Sequence, residues 1–131
     1  MELKERFLKY VAINTRSDEN SETFPSTAVQ WDLLNALVEE MKLLGLQDVT
    51  IDKYGYAMGT IPATPGKENA PVIGFLAHVD TAPDMSGENV RPHIIESYDG
   101  KDIVLNNALT MKVSDFPELS RFVGHTLIHT D

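Results

Sequence analysis

Cysteine is absent from the 131 residues, which excludes disulfide frameworks and thiolate metal sites and leaves histidine and carboxylate as the available metal ligands. Positive charge is scarce. Eleven Lys and Arg stand against twenty Asp and Glu, giving a net charge of −9. The basic residues are scattered along the chain and form no patch, which argues against a nucleic-acid partner or an anionic membrane surface. No apolar run approaches the length of about 18 residues needed to span a bilayer. The charged start Met1-Glu2-Leu3-Lys4-Glu5-Arg6 has no apolar core of the kind a secretory signal needs, so the expectation is a soluble, cytoplasmic protein. A phosphate-cradling glycine loop, a Ser or Cys nucleophile motif and internal repeats are also missing.

What is present describes a globular chain. Apolar residues make up 42% and charged residues 24%, proportions normal for a packed soluble domain. The length suffices for one domain with a core but is small for a complete two-domain enzyme.

The hydrophobic pattern predicts an α/β arrangement. Leu3, Phe7, Tyr10 and Val11 recur at helical spacing over residues 2–12. Residues 14–24 are polar and read as a loop. Pro25-Ser26-Thr27 predicts the start of a second helix, with Ser26 or Thr27 as its N-cap. Its apolar stripe runs through Val29, Leu33, Leu37, Met41 and Leu44, widened by Trp31, Leu34 and Val38. Gly45 suits a left-handed C-terminal position, and a stripe this wide predicts packing on a sheet. Val49 and Ile51, the Tyr54-Gly55 turn and residues 56–61 predict a hairpin. After a proline-rich connection at 62–71, the apolar run 72–77 predicts a buried central strand. His93-Ile94-Ile95 predicts a short strand, with the Asp99-Gly100 turn returning Ile103-Val104-Leu105 as its partner. Phe116-Pro117-Glu118-Leu119 predicts a turn or short helix, and the alternation after Gly124 predicts a last strand.

The residues that point to chemistry follow the apolar run. Val72-Ile73-Gly74-Phe75-Leu76-Ala77 ends in His78-Val79-Asp80, and ligands in open α/β sheets sit beyond the carboxyl ends of such strands. In extended chain, residues i and i+2 point the same way about 6–7 Å apart. The carboxylate of Asp80 can therefore steady the imidazole of His78, which suits a zinc ligand. The same pair also reads as an ordinary hydrogen-bonded strand end. His125 and His129 share one face of the final strand, but about 13 Å apart, too far to bind one ion.

The stretch Gly74-Phe75-Leu76-Ala77-His78-Val79-Asp80-Thr81-Ala82-Pro83-Asp84-Met85-Ser86-Gly87 resembles the first metal-ligand motif of the M20 family of zinc exopeptidases. The His-x-Asp-Thr-x-Pro-Asp core marks the wider family. Ser86-Gly87-Glu88-Asn89-Val90 and the tail Gly124-His125-Thr126-Leu127-Ile128-His129-Thr130-Asp131 are similar to its tripeptide aminopeptidases. Thr15-Arg16-Ser17-Asp18, Phe24-Pro25-Ser26-Thr27 and Asn89-Val90-Arg91-Pro92 agree, so the resemblance extends over essentially the whole chain.

The resemblance implies a mixed sheet flanked by helices and a metallo-aminopeptidase that releases the N-terminal residue of tripeptides with two zinc ions. It makes His78 a ligand to one zinc ion and Asp80 the catalytic aspartate. The family's bridging aspartate, glutamate base and remaining ligands lie downstream of this tail, and Asp131 is not among them. The resemblance therefore implies that residues 1–131 are the N-terminal portion of a catalytic domain. The rest of that domain and a dimerisation or lid domain are not in the chain. It further implies a possible homodimer for the whole enzyme; the segment alone is expected to have no peptidase activity, to bind zinc weakly at best and to associate non-natively. The alternatives are another hydrolase of the family, a dipeptidase or an N-acyl-amino-acid deacylase, or a non-catalytic α/β binding domain.

Overall fold

The computed structural model describes residues 2–130 and combines helices with small antiparallel ladders, an α/β mix. Asp131 lies outside the described residues. Two compact units divide the chain: Ile13–Glu88, and Met1–Ala12 together with Asn89–Asp131.

In Ile13–Glu88 the organising element is a helix packed on a hairpin. The helix, α2, spans Gln30–Leu43 and follows α1 (Leu3–Val11) in the chain. Leu33, Leu34 and Val38 are buried, as their stripe predicts. The helix ends as Gly45 suggests: Gly45 adopts φ +81°, its N–H bonds to the Lys42 carbonyl at 3.0 Å, and the Leu46 N–H bonds to the Met41 carbonyl at 3.1 Å. This pair of bonds satisfies carbonyls that the last turn leaves open.

The start of α2 falls later than the sequence pattern predicts. Ser26 and Thr27 do not cap it; Val29 precedes the first turn without a side-chain cap. Their hydroxyls are engaged elsewhere. Both accept from Gln30 Nε2 at 3.1 Å, Ser26 also accepts the Asp18 N–H at 3.1 Å, and Thr27 donates to the Arg16 carbonyl at 2.7 Å. The two residues tie the preceding loop together instead of opening the helix.

Strands β1 (Gln47–Ile51) and β2 (Ala57–Thr60) form the expected antiparallel hairpin. A shift of register between Gln47 and Thr50 marks a bulge, where Asp48 takes φ +51°. Asp52 closes the turn, its Oδ1 accepting the N–H groups of Tyr54 and Tyr56 at 2.9 Å each. Gly55 sits at φ +86°, and a Cβ there would meet Pro25 Cγ at 2.8 Å and Leu34 Cδ1 at 3.0 Å. Glycine thus allows both the backbone conformation and the close seat of α2 on the turn.

The apolar run at 72–77 departs from expectation. It forms no ladder among the described residues, and its side chains are open to solvent: Val72 is 99%, Phe75 95% and Leu76 97% exposed. A strand is buried only when neighbours pair with its backbone and layers cover its faces. Nothing within Ile13–Glu88 does either, so the run is an uncovered ribbon outside any ladder.

The other unit opens with α1 (Leu3–Val11), begun by a capping box between Glu2 and Glu5. Three short strands follow here: β3 (His93–Ile95), β4 (Ile103–Val104) and β5 (Thr110–Met111). A 3₁₀ turn at Pro117–Phe122 leads to β6 (Leu127–His129). The predicted pairing of residues 93–95 with 103–105 is not formed. β3 pairs with β6, and β4 pairs with β5, both antiparallel. The Asp99-Gly100 turn is present but does not close a hairpin between these strands. Tyr98 instead exchanges backbone bonds with the last segment, its N–H to the His125 carbonyl at 2.9 Å and its carbonyl from the Gly124 N–H at 2.8 Å. Tyr98 and Ile103 are the buried apolar side chains of this unit. The Tyr98 hydroxyl donates to the Lys101 carbonyl. Burial, helped by the nearby Asp99 and Asp102 charges, raises its pKa.

Two outcomes follow. Leu34→Ala should lower the unfolding free energy by about 3 kcal/mol, measured by urea denaturation, because it opens a cavity between α2 and the hairpin. At the Tyr98 turn, the Lys101 ammonium lies 2.7 Å from Asp99 Oδ2, and the Lys101 N–H bonds to Asp99 Oδ1 at 3.1 Å. These bonds, the side-chain one foremost, hold the Asp99 carboxyl below its ordinary range. Folding thus favours the ionised form. The resulting contribution is complete above the ordinary carboxylate pKa and disappears as pH falls through the lowered value. An NMR titration of the Asp99 carboxyl carbon should show its midpoint move upward in Lys101→Ala.

Candidate metal centre

The candidate site begins where the apolar ribbon ends. Across Val79 the side chains of His78 and Asp80 turn toward each other, as the i,i+2 spacing predicts. His78 Nδ1 and Asp80 Oδ1 lie 3.1 Å apart. An ionised carboxylate only accepts, so this contact places the proton of a neutral imidazole on Nδ1 and leaves the Nε2 lone pair free. That is the arrangement in which a histidine serves as a metal ligand with a carboxylate behind it. The His78 side chain is 83% exposed and that of Asp80 42%, so a ligand can reach the ring.

The segment that follows is held by residues the sequence pattern assigns to a plain loop. Thr15, Arg16 and Ser17 run beside Thr81, with Arg16 and Thr81 forming a parallel bridge. The Thr81 N–H donates to the Thr15 carbonyl at 3.1 Å. The Thr81 carbonyl accepts both the N–H and the hydroxyl of Ser17, each at 2.9 Å. The Arg16 guanidinium reaches the Pro83 carbonyl through Nε, at 2.8 Å, and through a second nitrogen. Two residues beyond Asp80 are therefore clamped to a segment more than sixty positions earlier. The only sequence signal was a guanidinium set among small polar residues. Asn14 Oδ1 accepts the Arg16 N–H at 3.1 Å, and a Cβ at Gly87 would meet that same oxygen at 2.7 Å. An open groove of about 790 Å³ lies beside the clamp, lined among others by Asn14, Arg16, Asp18, Thr27, Pro83 and Asp84. Neither His78 nor Asp80 lines it.

The donor set is partial. Among the described residues no group of three or more His, Asp or Glu side chains is gathered to hold a metal ion. His78 and Asp80 fit the role of one ligand and its supporting carboxylate, and a catalytic zinc ion needs about three protein ligands. As expected, His125 and His129 do not converge. His125 packs edge-on against Phe122 with ring centroids 6.1 Å apart, while His129 stacks on His93. No helix among the described residues is long and apolar enough to cross a membrane.

Over nearly all its residues the chain is similar to curated peptidases. The relatives are named peptidase T. That of Geobacillus kaustophilus (strain HTA426) is 58% identical over 99% of this chain, and that of Bacillus subtilis (strain 168) is 57% identical over the same share. That of Listeria welshimeri is 53% identical, again over 99% of the chain. Each alignment covers 32% of the relative, so the chain spans about a third of the length of the curated relatives it matches. No family model matches the chain.

The hydrogen bond between His78 and Asp80 makes the tautomer of His78 testable. Long-range ¹H–¹⁵N spectra should show a protonated Nδ1 in the wild-type chain. In Asp80→Ala the ring should move toward the Nε2-protonated form, with the Thr81 amide keeping its protection because the Thr15–Ser17 clamp is independent of the carboxylate.

Proposed function

We propose that the chain supplies the histidine–aspartate corner of a zinc-dependent aminopeptidase that releases the first residue of tripeptides, with the remaining ligands contributed by portions of a longer protein. The observation that carries this reading is the carboxylate-backed imidazole at the end of the ribbon, in a chain homologous to a third of peptidase T. Residues 1–131 then form the amino-terminal part of the catalytic domain.

When bound, a pair of zinc ions would supply Lewis-acid activation of the scissile carbonyl and of the attacking water. His78 would offer Nε2 to one of them. Asp80 holds the proton on Nδ1 and fixes the plane of the ring. Arg16 and Ser17 hold the chain after Asp80, so the carboxylate is not free to swing away from the imidazole. In this reading the apolar ribbon at 72–77 is covered by other portions of a longer protein, which gives the exposed Phe75 and Leu76 a place to go. Left bare, it favours association between chains.

The test uses a full-length protein containing this segment. Tripeptides should be hydrolysed in preference to dipeptides and N-acyl amino acids, a chelator should stop turnover, and zinc should restore it. His78→Ala should reduce kcat/KM to background with the fold intact by circular dichroism. The 131-residue chain alone should turn over no tripeptide, since it holds one candidate ligand. Unchanged turnover in His78→Ala, or turnover by the chain alone, removes the assignment.

A further inference from the structure

A line of hydrogen bonds leads from the buried start of α2 to the His78–Asp80 pair. Gln30 is the first residue of α2, and only 7% of it is exposed. Its Nε2 donates to the Ser26 and Thr27 hydroxyls at 3.1 Å each. The Thr27 hydroxyl gives its own hydrogen to the Arg16 carbonyl at 2.7 Å. That carbonyl shares one peptide unit with the Ser17 N–H, which donates to the Thr81 carbonyl at 2.9 Å. A trans peptide unit is planar, and its C=O and N–H point in opposite directions. Gripping the carbonyl from one side therefore aims the amide on the other. Every bond runs donor to acceptor in the same sense, from Gln30 through Thr27 and the Arg16–Ser17 peptide to Thr81, so each polarises the next. Asp80 directly precedes Thr81, and its carboxylate meets His78 Nδ1 at 3.1 Å.

We propose that Gln30 and Thr27 are positioning residues of the candidate metal centre: acting through the Arg16–Ser17 peptide, they set where the Asp80 carboxylate stands behind His78. The inference rests on the function proposed above for what the pair does, and on these hydrogen bonds alone for how the pair is held. Groups that orient a metal-binding histidine from behind are worth about 10–100-fold in metal affinity or activity. Thr27 also lines the open groove beside the clamp, whereas Gln30 does not. A substitution at each position therefore separates an effect on positioning from one on a ligand seated in the groove.

Thr27→Val keeps the branched shape and removes the hydroxyl, Thr27→Ser keeps the hydroxyl, and Gln30→Met fills the same space without the amide. In the 131-residue chain, long-range ¹H–¹⁵N spectra should show the His78 ring leave the Nδ1-protonated form for a mixture of tautomers in Thr27→Val and Gln30→Met. The Ser17 amide should exchange faster in both, and Thr27→Ser should match the wild type. In a full-length protein containing this segment, kcat for a tripeptide at saturating zinc should fall about tenfold or more in Thr27→Val and Gln30→Met, with KM changed less than about twofold, and Thr27→Ser should restore it. Either of the two disruptive variants suffices if the other fails to fold. A wild-type His78 ring in a variant whose Ser17 amide has lost protection overturns the proposal, because the line is then cut without moving the pair. So does a raised KM with kcat unchanged. A full-length protein without zinc-dependent turnover removes the proposed function, and the ring spectra of the 131-residue chain still decide the positioning role.

Discussion

One carbonyl oxygen, that of Thr81, decides how the candidate metal centre is held. It accepts two bonds from Ser17, while the Thr81 amide donates to Thr15 and the next turn is drawn in by Arg16. Extended chain has two soft torsions per residue and no internal bonds of its own. Without an external anchor, the carboxylate of Asp80 would sample many positions around His78. The anchor removes that freedom within two residues of the pair. A short polar stretch between helices is thereby a structural partner of the site, and the helix-on-hairpin core of the same unit gives that stretch a firm base through the Ser26 and Thr27 hydroxyls.

Local features were legible in the sequence. The stripe of α2, its glycine exit, the β1–β2 hairpin and the turn at Pro117 all depend on neighbours within a few positions, and propensity and periodicity register such neighbours. The His78–Asp80 contact was legible for the same reason, because an i,i+2 geometry follows from extended backbone alone. Whatever depended on distant partners was not. Residues 93–95 and 103–105 make a plausible hairpin on paper. The structure pairs them instead with 127–129 and 110–111, a choice set by which segments meet in space. The stacked histidines were invisible for that reason, each being unremarkable on its own strand.

The run at 72–77 shows how burial differs from hydrophobicity. Its composition describes what the segment needs, a paired and covered position, and the described chain does not provide it. Apolar sequence is a demand on the surroundings, and only the surroundings can meet it. The α/β class was readable because it rests on the alternation of helical and extended patterns. The layout as three separate two-stranded ladders was not, because it depends on which edges find partners.

His78 rides on the end of that bare ribbon. Whatever pairs with Phe75 and Leu76 also sets the height and direction of the imidazole that follows them. Completing the sheet and arming the centre then become a single event in the proposed enzyme.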